Sequence, residues 1–173
     1  MAKRKSVKRH HKKVSRNYNI PFFAGLLLIV ILSFFVLGTF EYFNTDEYVK
    51  ADITKVIGNT VIIGNNCTAI VAQTSPERAH SIELGLENKI EVRPNTHDVF
   101  VDVLKGFNIT VESVTMDKYE DEIYYATMHL RRGNTILNID LKPSDGIAIA
   151  LRASAPIYIK KDLLEEMGQN ICK

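Results

Sequence analysis

The 173-residue sequence lacks the motifs by which many hydrolases and metalloproteins are recognised. It has no glycine-rich phosphate loop, no His-Glu-x-x-His motif and no Gly-x-Ser-x-Gly nucleophile elbow. Its two cysteines, Cys67 and Cys172, are too far apart in the sequence to form a paired zinc motif. In an oxidising compartment they could form a disulfide, but two cysteines in a chain of this length are also ordinary background. Any functional site must therefore be sought among less distinctive polar residues.

Acidic residues are missing from residues 1–19, which hold eight lysines and arginines. The remaining 154 residues share the other 14 basic side chains and all 20 acidic ones, which gives them a net charge of −6. An acidic domain repels phosphate backbones, so the composition argues against a broad nucleic-acid-binding surface.

Charged residues are also missing from residues 20–40, which begin with Ile20 and end with Phe40. As a helix this segment would be roughly 31 Å long, the thickness of a bilayer's hydrocarbon core. A cleaved signal peptide usually has a shorter apolar region, roughly 7–15 residues, so we predict an uncleaved transmembrane helix in contact with membrane lipid. The basic tail should remain in the cytoplasm, which makes this a single-pass protein of the cell membrane with its domain outside the cytoplasm.

Hydrophobic periodicity divides the rest of the chain into a linker at residues 41–47, a domain at residues 48–168 and a C-terminal tail at residues 169–173. Short runs with strand alternation surround single helical segments, which predicts an α+β fold with a compact mixed β-sheet and about four helices. The predicted strands cover residues 48–57, 61–63, 69–71, 109–116, 123–131, 135–141 and 156–159; the predicted helices cover residues 75–87, 96–106, 144–151 and 161–167.

Side-chain patterns within these segments predict what is buried. The helix after Ser144 is apolar on nearly every side and should lie in the core. The helix after Thr96 should bury one face, and the strand at residues 135–141 should turn Asp140 away from the core. The residues expected on these two buried faces are Val99, Phe100, Val103 and Leu104 in the helix and Leu137, Ile139 and Leu141 in the strand.

Two polar clusters, at residues 94–98 and 140–145, precede helices and are the candidates for chemistry. A helix N-terminus offers free N–H groups to an anion, and carboxylates suit Mg²⁺ or Mn²⁺. We therefore consider a site that hydrolyses phosphodiester bonds through a bound metal. Its catalytic residues would be His97, Asp98, Asp140 and Asp145; its metal ligands Asp98, Asp140 and Asp145; and its phosphate-binding residues Thr96, Lys142 and Ser144. The alternative is structural, with Thr96 and Ser144 as helix caps and the aspartates complementing the helix dipole.

The blocks at residues 94–98, 139–152 and 155–159 together resemble the bifunctional nuclease family, domains named for activity on both DNA and RNA. Lys142 and Gly146 depart from it, because the family usually has arginine and alanine there. The resemblance implies a compact α+β fold, homodimers and a nuclease with nucleic acid as its partner. The membrane anchor predicted from residues 20–40 is not part of the family domain. The other interpretation is a non-catalytic, membrane-anchored domain that binds a protein or a small anionic ligand, or that dimerises.

Overall fold

The computed structural model describes residues 45–172. The basic tail and transmembrane helix that we predict for residues 1–19 and 20–40 lie outside those residues. Within residues 45–172 no helix is both long enough and apolar enough to cross a membrane. The membrane anchor therefore stays a prediction.

The described residues form eight strands and four helices, after one 3-10 turn at Thr45–Glu47. The strands are β1 (Tyr48–Ile57), β2 (Thr60–Asn65), β3 (Thr68–Gln73), β4 (Thr110–Glu120), β5 (Ile123–Arg132), β6 (Thr135–Leu141), β7 (Ile157–Lys160) and β8 (Gln169–Asn170). The helices are α1 (Pro76–Leu86), α2 (Thr96–Gly106), α3 (Pro143–Ala153) and α4 (Lys161–Met167).

The strands form one sheet in the order β6-β5-β4-β7-β1-β2-β3-β8. Two antiparallel meanders, β1-β2-β3 and β4-β5-β6, are joined by β7, which pairs parallel with β4 and antiparallel with β1. This arrangement confirms the predicted α+β fold with a mixed sheet and four helices.

Helix α3 lies at the centre of the domain, as its all-round apolar composition predicts. It packs on β4 and β5 and contacts both α1 and α2. Ala148 and Ala150 are fully buried, and Ile147 and Ile149 nearly so. Because α3 packs against these elements, the residues at its N-terminus have fixed positions relative to α1 and α2.

The buried face of α2 matches the predicted one only in part, since Leu104 is buried and Phe100 packs against the core, but Val99 and Val103 are not buried. Val99 and Val103 are 50% and 49% exposed, whereas Asp98, Val101 and Leu104 are buried. The helix is rotated because the Asp98 carboxylate binds Arg152 of α3, an interaction that hydrophobic periodicity cannot reveal. On β6, Leu137 is 56% exposed because it lies on the edge strand of the sheet, beyond the apolar residues that cover Ile139 and Leu141.

The cap predicted for α1, Ser75, is confirmed, whereas those predicted for α2 and α3 are wrong by one or two residues. Asn95, not Thr96, caps α2, and it forms a capping box in which the Asp98 carboxylate accepts a hydrogen bond from the Asn95 N–H. Lys142, not Ser144, precedes α3, and its side chain makes no capping hydrogen bond. Pro143 occupies the first position of α3, where its missing N–H costs nothing.

Gly146 has a steric explanation in this chain. A Cβ atom at that position would lie 2.9 Å from Val114 Cγ1 and 3.4 Å from Leu141 Cδ1. Alanine, which the related family usually has there, would require the β4 side chain to shift. Glycine therefore allows α3 to approach β4 closely.

The C-terminal residues are joined to the sheet. Gln169 and Asn170 pair with β3 as strand β8, and Cys172 forms a disulfide with Cys67 in the β2–β3 turn. The pairing that the sequence left open is therefore present, and it closes a chain segment of 105 residues.

Reduction of this disulfide is expected to destabilise the domain by about 2–4 kcal/mol, because a long closed segment restricts the unfolded chain. The measurement is urea unfolding of the protein with and without dithiothreitol, followed by circular dichroism. Cys67→Ser should reproduce the loss without reductant and should no longer respond to it. An unchanged midpoint after complete reduction would contradict the expectation.

Candidate active site

A cleft of about 1000 Å³ opens between α1, the start of α2, the start of α3 and the adjoining faces of β5 and β6. We call it the active cleft. Its floor is apolar and its rim is polar, which is typical of a site that binds a ligand by its body and orients it by a few polar groups. The floor consists of Phe100, Met128, Ile139, Leu141 and Ile149.

His97 and Asp145 meet at the rim of the active cleft. His97 Nε2 lies 3.3 Å from Asp145 Oδ1, and the same oxygen accepts a 2.8 Å hydrogen bond from Arg78 Nε. The imidazole is 16% exposed, while Asp145 and Arg78 are about one-third exposed. Three helices contribute one residue each, so the array depends on how α1 and α2 pack on α3.

Ser81 extends the array on the other side of the imidazole. Its Oγ lies 2.9 Å from His97 Nδ1 and accepts a 3.3 Å hydrogen bond from Asn95 Nδ2. When Ser81 donates to Nδ1, His97 Nε2 carries the proton and donates it to Asp145. Ser81 is only 4% exposed, so it orients the imidazole from behind. The arrangement can hold and transfer a proton at His97 and Asp145.

Asp98 does not join this array, although it is adjacent to His97 in the sequence. Its Oδ1 accepts a 2.5 Å hydrogen bond from Arg152 Nε, and its Oδ2 accepts one of 2.8 Å from the Asn95 N–H. The side chains of Asp98 and Arg152 are only 4% and 8% exposed. Burial alone would raise the pKa of Asp98, but the hydrogen bonds from Arg152 and Asn95 and the arginine's charge lower it below its ordinary value. Asp98 therefore holds α2 against α3.

The other predicted site residues lie in different places. Asp140 is exposed on β6 opposite Thr127, and strand alternation turns it to the face opposite Ile139, away from the active cleft. Thr96 lines the active cleft. Lys142 and Ser144 line a second, separate cleft. The structure thus brings together His97, Asp145 and Thr96 but separates them from Asp98, Asp140, Lys142 and Ser144.

The predicted metal ligands do not fit Mg²⁺ or Mn²⁺. Both Asp98 oxygens are held by protein donors, and Asp140 points away from the cleft. In the described part of the chain, no three His, Cys, Asp or Glu side chains are grouped so that they could hold a metal ion. His97 and Asp145 remain, but only Asp145 supplies the oxygen ligands that these ions prefer, and its Oδ1 already accepts hydrogen bonds from Arg78 and His97.

The rim of the active cleft is not strongly basic. Glu77, Glu91 and Asp145 line it together with Arg78 and His80. His80 Nε2 lies 3.0 Å from Glu91 Oε1, and this hydrogen bond raises the pKa of His80 above its ordinary value. A nucleic acid would therefore have to be held by apolar contact with the floor as well as by the Arg78 charge.

Arg78 and Ser81 are site residues that the sequence reasoning missed. Both are polar and lie three residues apart on α1, on the side that also carries buried Ile82 and Gly85. Two polar residues three positions apart on an otherwise buried helix face are the pattern that could have indicated them. Their partners on α2 and α3 cannot be read from the sequence, because they depend on tertiary packing.

Residues 65–171, more than half of the chain, match the bifunctional nuclease domain. Bifunctional nuclease 1 of Arabidopsis thaliana is 32% identical over 82 residues, which cover 46% of this chain and 25% of that protein. Bifunctional nuclease 1 of Oryza sativa subsp. indica is 28% identical over the same shares.

An uncharacterized protein of Mycobacterium tuberculosis strain H37Rv is 30% identical over 76 residues, which cover 44% of each chain. The chain therefore spans less than half of the length of these curated relatives. The domain match, which includes every helix and strand that lines the active cleft, shows that the chain belongs to the bifunctional nuclease domain family.

Proposed function

We propose that this domain hydrolyses phosphodiester bonds of DNA or RNA in the active cleft. The observation that carries the proposal is the Arg78–Asp145–His97 array, which places an acid–base pair beside a cationic group at the rim of an open cleft. Family membership supports a nuclease-related function, since the named plant relatives are called bifunctional nucleases.

The proposed chemistry uses the three residues in distinct roles. Arg78 binds a non-bridging phosphate oxygen with guanidinium N–H groups and offsets the charge that develops on phosphorus. The His97–Asp145 pair takes a proton from an attacking water as the new P–O bond forms. The P–O ester bond then breaks, and its oxygen leaves with a proton returned by the pair. Ser81 keeps the imidazole oriented throughout.

The test is cleavage of labelled single-stranded DNA and RNA by the purified full chain and by its His97→Gln variant. General acid–base catalysis typically contributes about 10²- to 10⁴-fold, so the variant should lose at least a hundredfold. Assays with EDTA, Mg²⁺ and Mn²⁺ separately measure the predicted metal requirement. If both proteins cleave equally, the measured nuclease activity does not depend on His97. Such activity would come from elsewhere in the chain or from a nuclease that copurifies.

One observation favours the non-catalytic alternative. Each group of the array already has a protein partner, as expected where polar residues join helices. If the array only joins the helices, the cleft binds a protein or small anionic ligand. The acidic rim disfavours long nucleic acids. The two functions differ in how Asp145→Asn affects activity relative to stability.

We also propose that residues 20–40 anchor the domain on the outer side of the cytoplasmic membrane. The support is the uncharged run of 21 residues after a tail with eight basic side chains. Protease added to intact cells should remove the domain together with a C-terminal tag. If the tag is cut only after lysis, the domain has the opposite orientation. A cytoplasmic protein of the same cells serves as the control for intact membranes.

A further inference from the structure

The floor of the active cleft offers surface to one flat apolar group. Phe100, Ile139 and Leu141 line the cleft and are only partly buried, so a ligand can contact their side chains. Met128 and Ile149 lie deeper and are 2% and 6% exposed. A nucleobase can stack on the Phe100 ring, as bases do on aromatic side chains in proteins that bind single strands. A base inside a duplex has both faces covered by its neighbours, so this floor favours an unpaired strand.

The charges around the active cleft accommodate one phosphodiester and oppose further ones. Among the described residues that line it, Arg78 is the one arginine or lysine. Three carboxylates, those of Glu77, Glu91 and Asp145, line the same cleft, and His80 is hydrogen-bonded to Glu91. A second phosphate in the cleft would therefore meet carboxylates and no further arginine or lysine. Like charges at this range repel, so each added phosphate should weaken binding.

The size of the active cleft sets the same limit. Its volume of about 1000 Å³ is at the upper end of the range, roughly 300–1,000 Å³, that holds one small-molecule ligand. Two nucleosides joined by one phosphodiester are a ligand of this class, whereas a longer strand must leave the cleft and cross the surrounding surface. Residues 20–173 carry 14 basic and 20 acidic side chains, a net charge of −6, which disfavours such a path.

We infer that the ligand of the active cleft is a short single-stranded oligonucleotide, with the dinucleoside monophosphate as its smallest form. One base lies on Phe100 and the single phosphodiester at Arg78. This inference rests on the proposed function, under which the same molecule is the substrate. Water then adds across one P–O bond, so a dinucleoside monophosphate yields one nucleoside and one nucleoside monophosphate. A reaction that breaks long nucleic acids into fragments must supply such a substrate.

The test measures binding with a fluorescent reporter inside the cleft. The chain contains no tryptophan, so Phe100→Trp gives a single reporter that a stacked base quenches. The eight basic residues of the tail can also bind oligonucleotides, but binding there does not place a base on the reporter. The full chain is held in phosphatidylcholine nanodiscs, with empty nanodiscs as the blank. The ligand is dithymidine phosphorothioate, which resists hydrolysis and keeps the single negative charge.

Dithymidine phosphorothioate should quench the reporter saturably. Thymidine, which lacks the phosphate, and diethyl phosphate, which lacks the bases and is measured by competition, should each bind about tenfold or more weakly. The phosphorothioate octamer of thymidine offers roughly sevenfold more phosphodiesters, yet it should bind no more tightly than the dimer. Raising the salt concentration from about 0.05 to 0.5 M should tighten octamer binding, because salt screens repulsion. A basic nucleic-acid site would show the opposite dependence.

Two pairs of variants locate the charges. Arg78→Gln should weaken dimer binding about tenfold, whereas Lys105→Gln, which removes an exposed cation outside the lining, should leave it unchanged. The double variant Glu77→Gln/Glu91→Gln should tighten octamer binding several-fold more than dimer binding. Glu166→Gln removes an exposed carboxylate outside the lining and should change neither.

Failure of the dimer to saturate would overturn the inference, and so would an octamer that binds more tightly and weakens with salt. Should the reporter variant not fold, cleavage by the unmodified chain decides. Its kcat/KM per phosphodiester should be at least fivefold higher for dithymidine monophosphate than for octathymidylate, and the reverse order would overturn the inference. Dimer binding as expected without cleavage of any substrate would overturn the proposed hydrolysis and leave the ligand assignment in place.

Discussion

Asp98→Ala is expected to destabilise the domain by about 3–5 kcal/mol, because it leaves the Arg152 charge buried without its partner. The Arg152 side chain is 8% exposed, and one of its terminal nitrogens has no hydrogen-bond partner among the residues that the structure describes. Its remaining bonds, to the Ser81 and Ala148 carbonyls, do not neutralise the charge. The variant also loses the capping box of α2.

Urea unfolding followed by circular dichroism measures this loss. Asp102→Ala is the matched control, because Asp102 lies on the same helix but is exposed, and its loss should cost no more than about 0.5 kcal/mol. If both variants unfold at the same urea concentration, Asp98 does not hold α2 against α3. Asp98 would then be available for the metal-binding role that the sequence suggested.

The same ion pair predicts how stability depends on pH. The folded-state pKa of Asp98 lies below its ordinary value of 3.8, because the Arg152 and Asn95 hydrogen bonds outweigh the effect of burial. The stabilisation is therefore complete above about pH 4 and is lost as the pH falls through the lowered folded-state pKa. The control variant should retain this acid-dependent loss, whereas Asp98→Ala should lack that part of it.

The sequence predicts the elements of this fold well because local patterns specify them. Strand β1 and helix α4 have the predicted bounds, and the apolar composition of α3 correctly places it in the core. The errors arise where one side chain of another element decides the outcome. Asp98 rotates α2 toward Arg152, 54 residues later, and neither partner is distinctive in the sequence.

The candidate site could be predicted only in part, because side chains from different elements also decide which residues meet there. His97 and Asp145 each lie at the start of a helix, and the packing of those helices on one another brings them within 3.3 Å. Asp140 and Lys142 are close to Asp145 in sequence, but strand alternation and the turn into α3 direct them elsewhere. The sequence analysis therefore grouped residues that are close along the chain, whereas the fold places them in two clefts and on the opposite face of the sheet.

Asp145→Asn is expected to lower phosphodiester cleavage at least a hundredfold while changing stability little. The amide cannot accept a proton from water as the Asp145 carboxylate can, and acid–base catalysis of this kind is worth about 10²- to 10⁴-fold. The Arg78–Asp145 pair is about one-third exposed, so solvent screens it and its loss should cost at most about 1 kcal/mol.

Asp98→Asn is the matched comparison, since it makes the same chemical change in the first turn of a neighbouring helix. It should reverse the pattern, with a large loss of stability and with activity that falls only as the folded fraction falls. Measuring cleavage and urea midpoints for both variants separates a catalytic role from a structural one. A folded Asp145→Asn protein that cleaves DNA and RNA at the parental rate would remove Asp145 from the chemistry. The array would then serve to join α1, α2 and α3, and the non-catalytic function would be the one that the cleft supports.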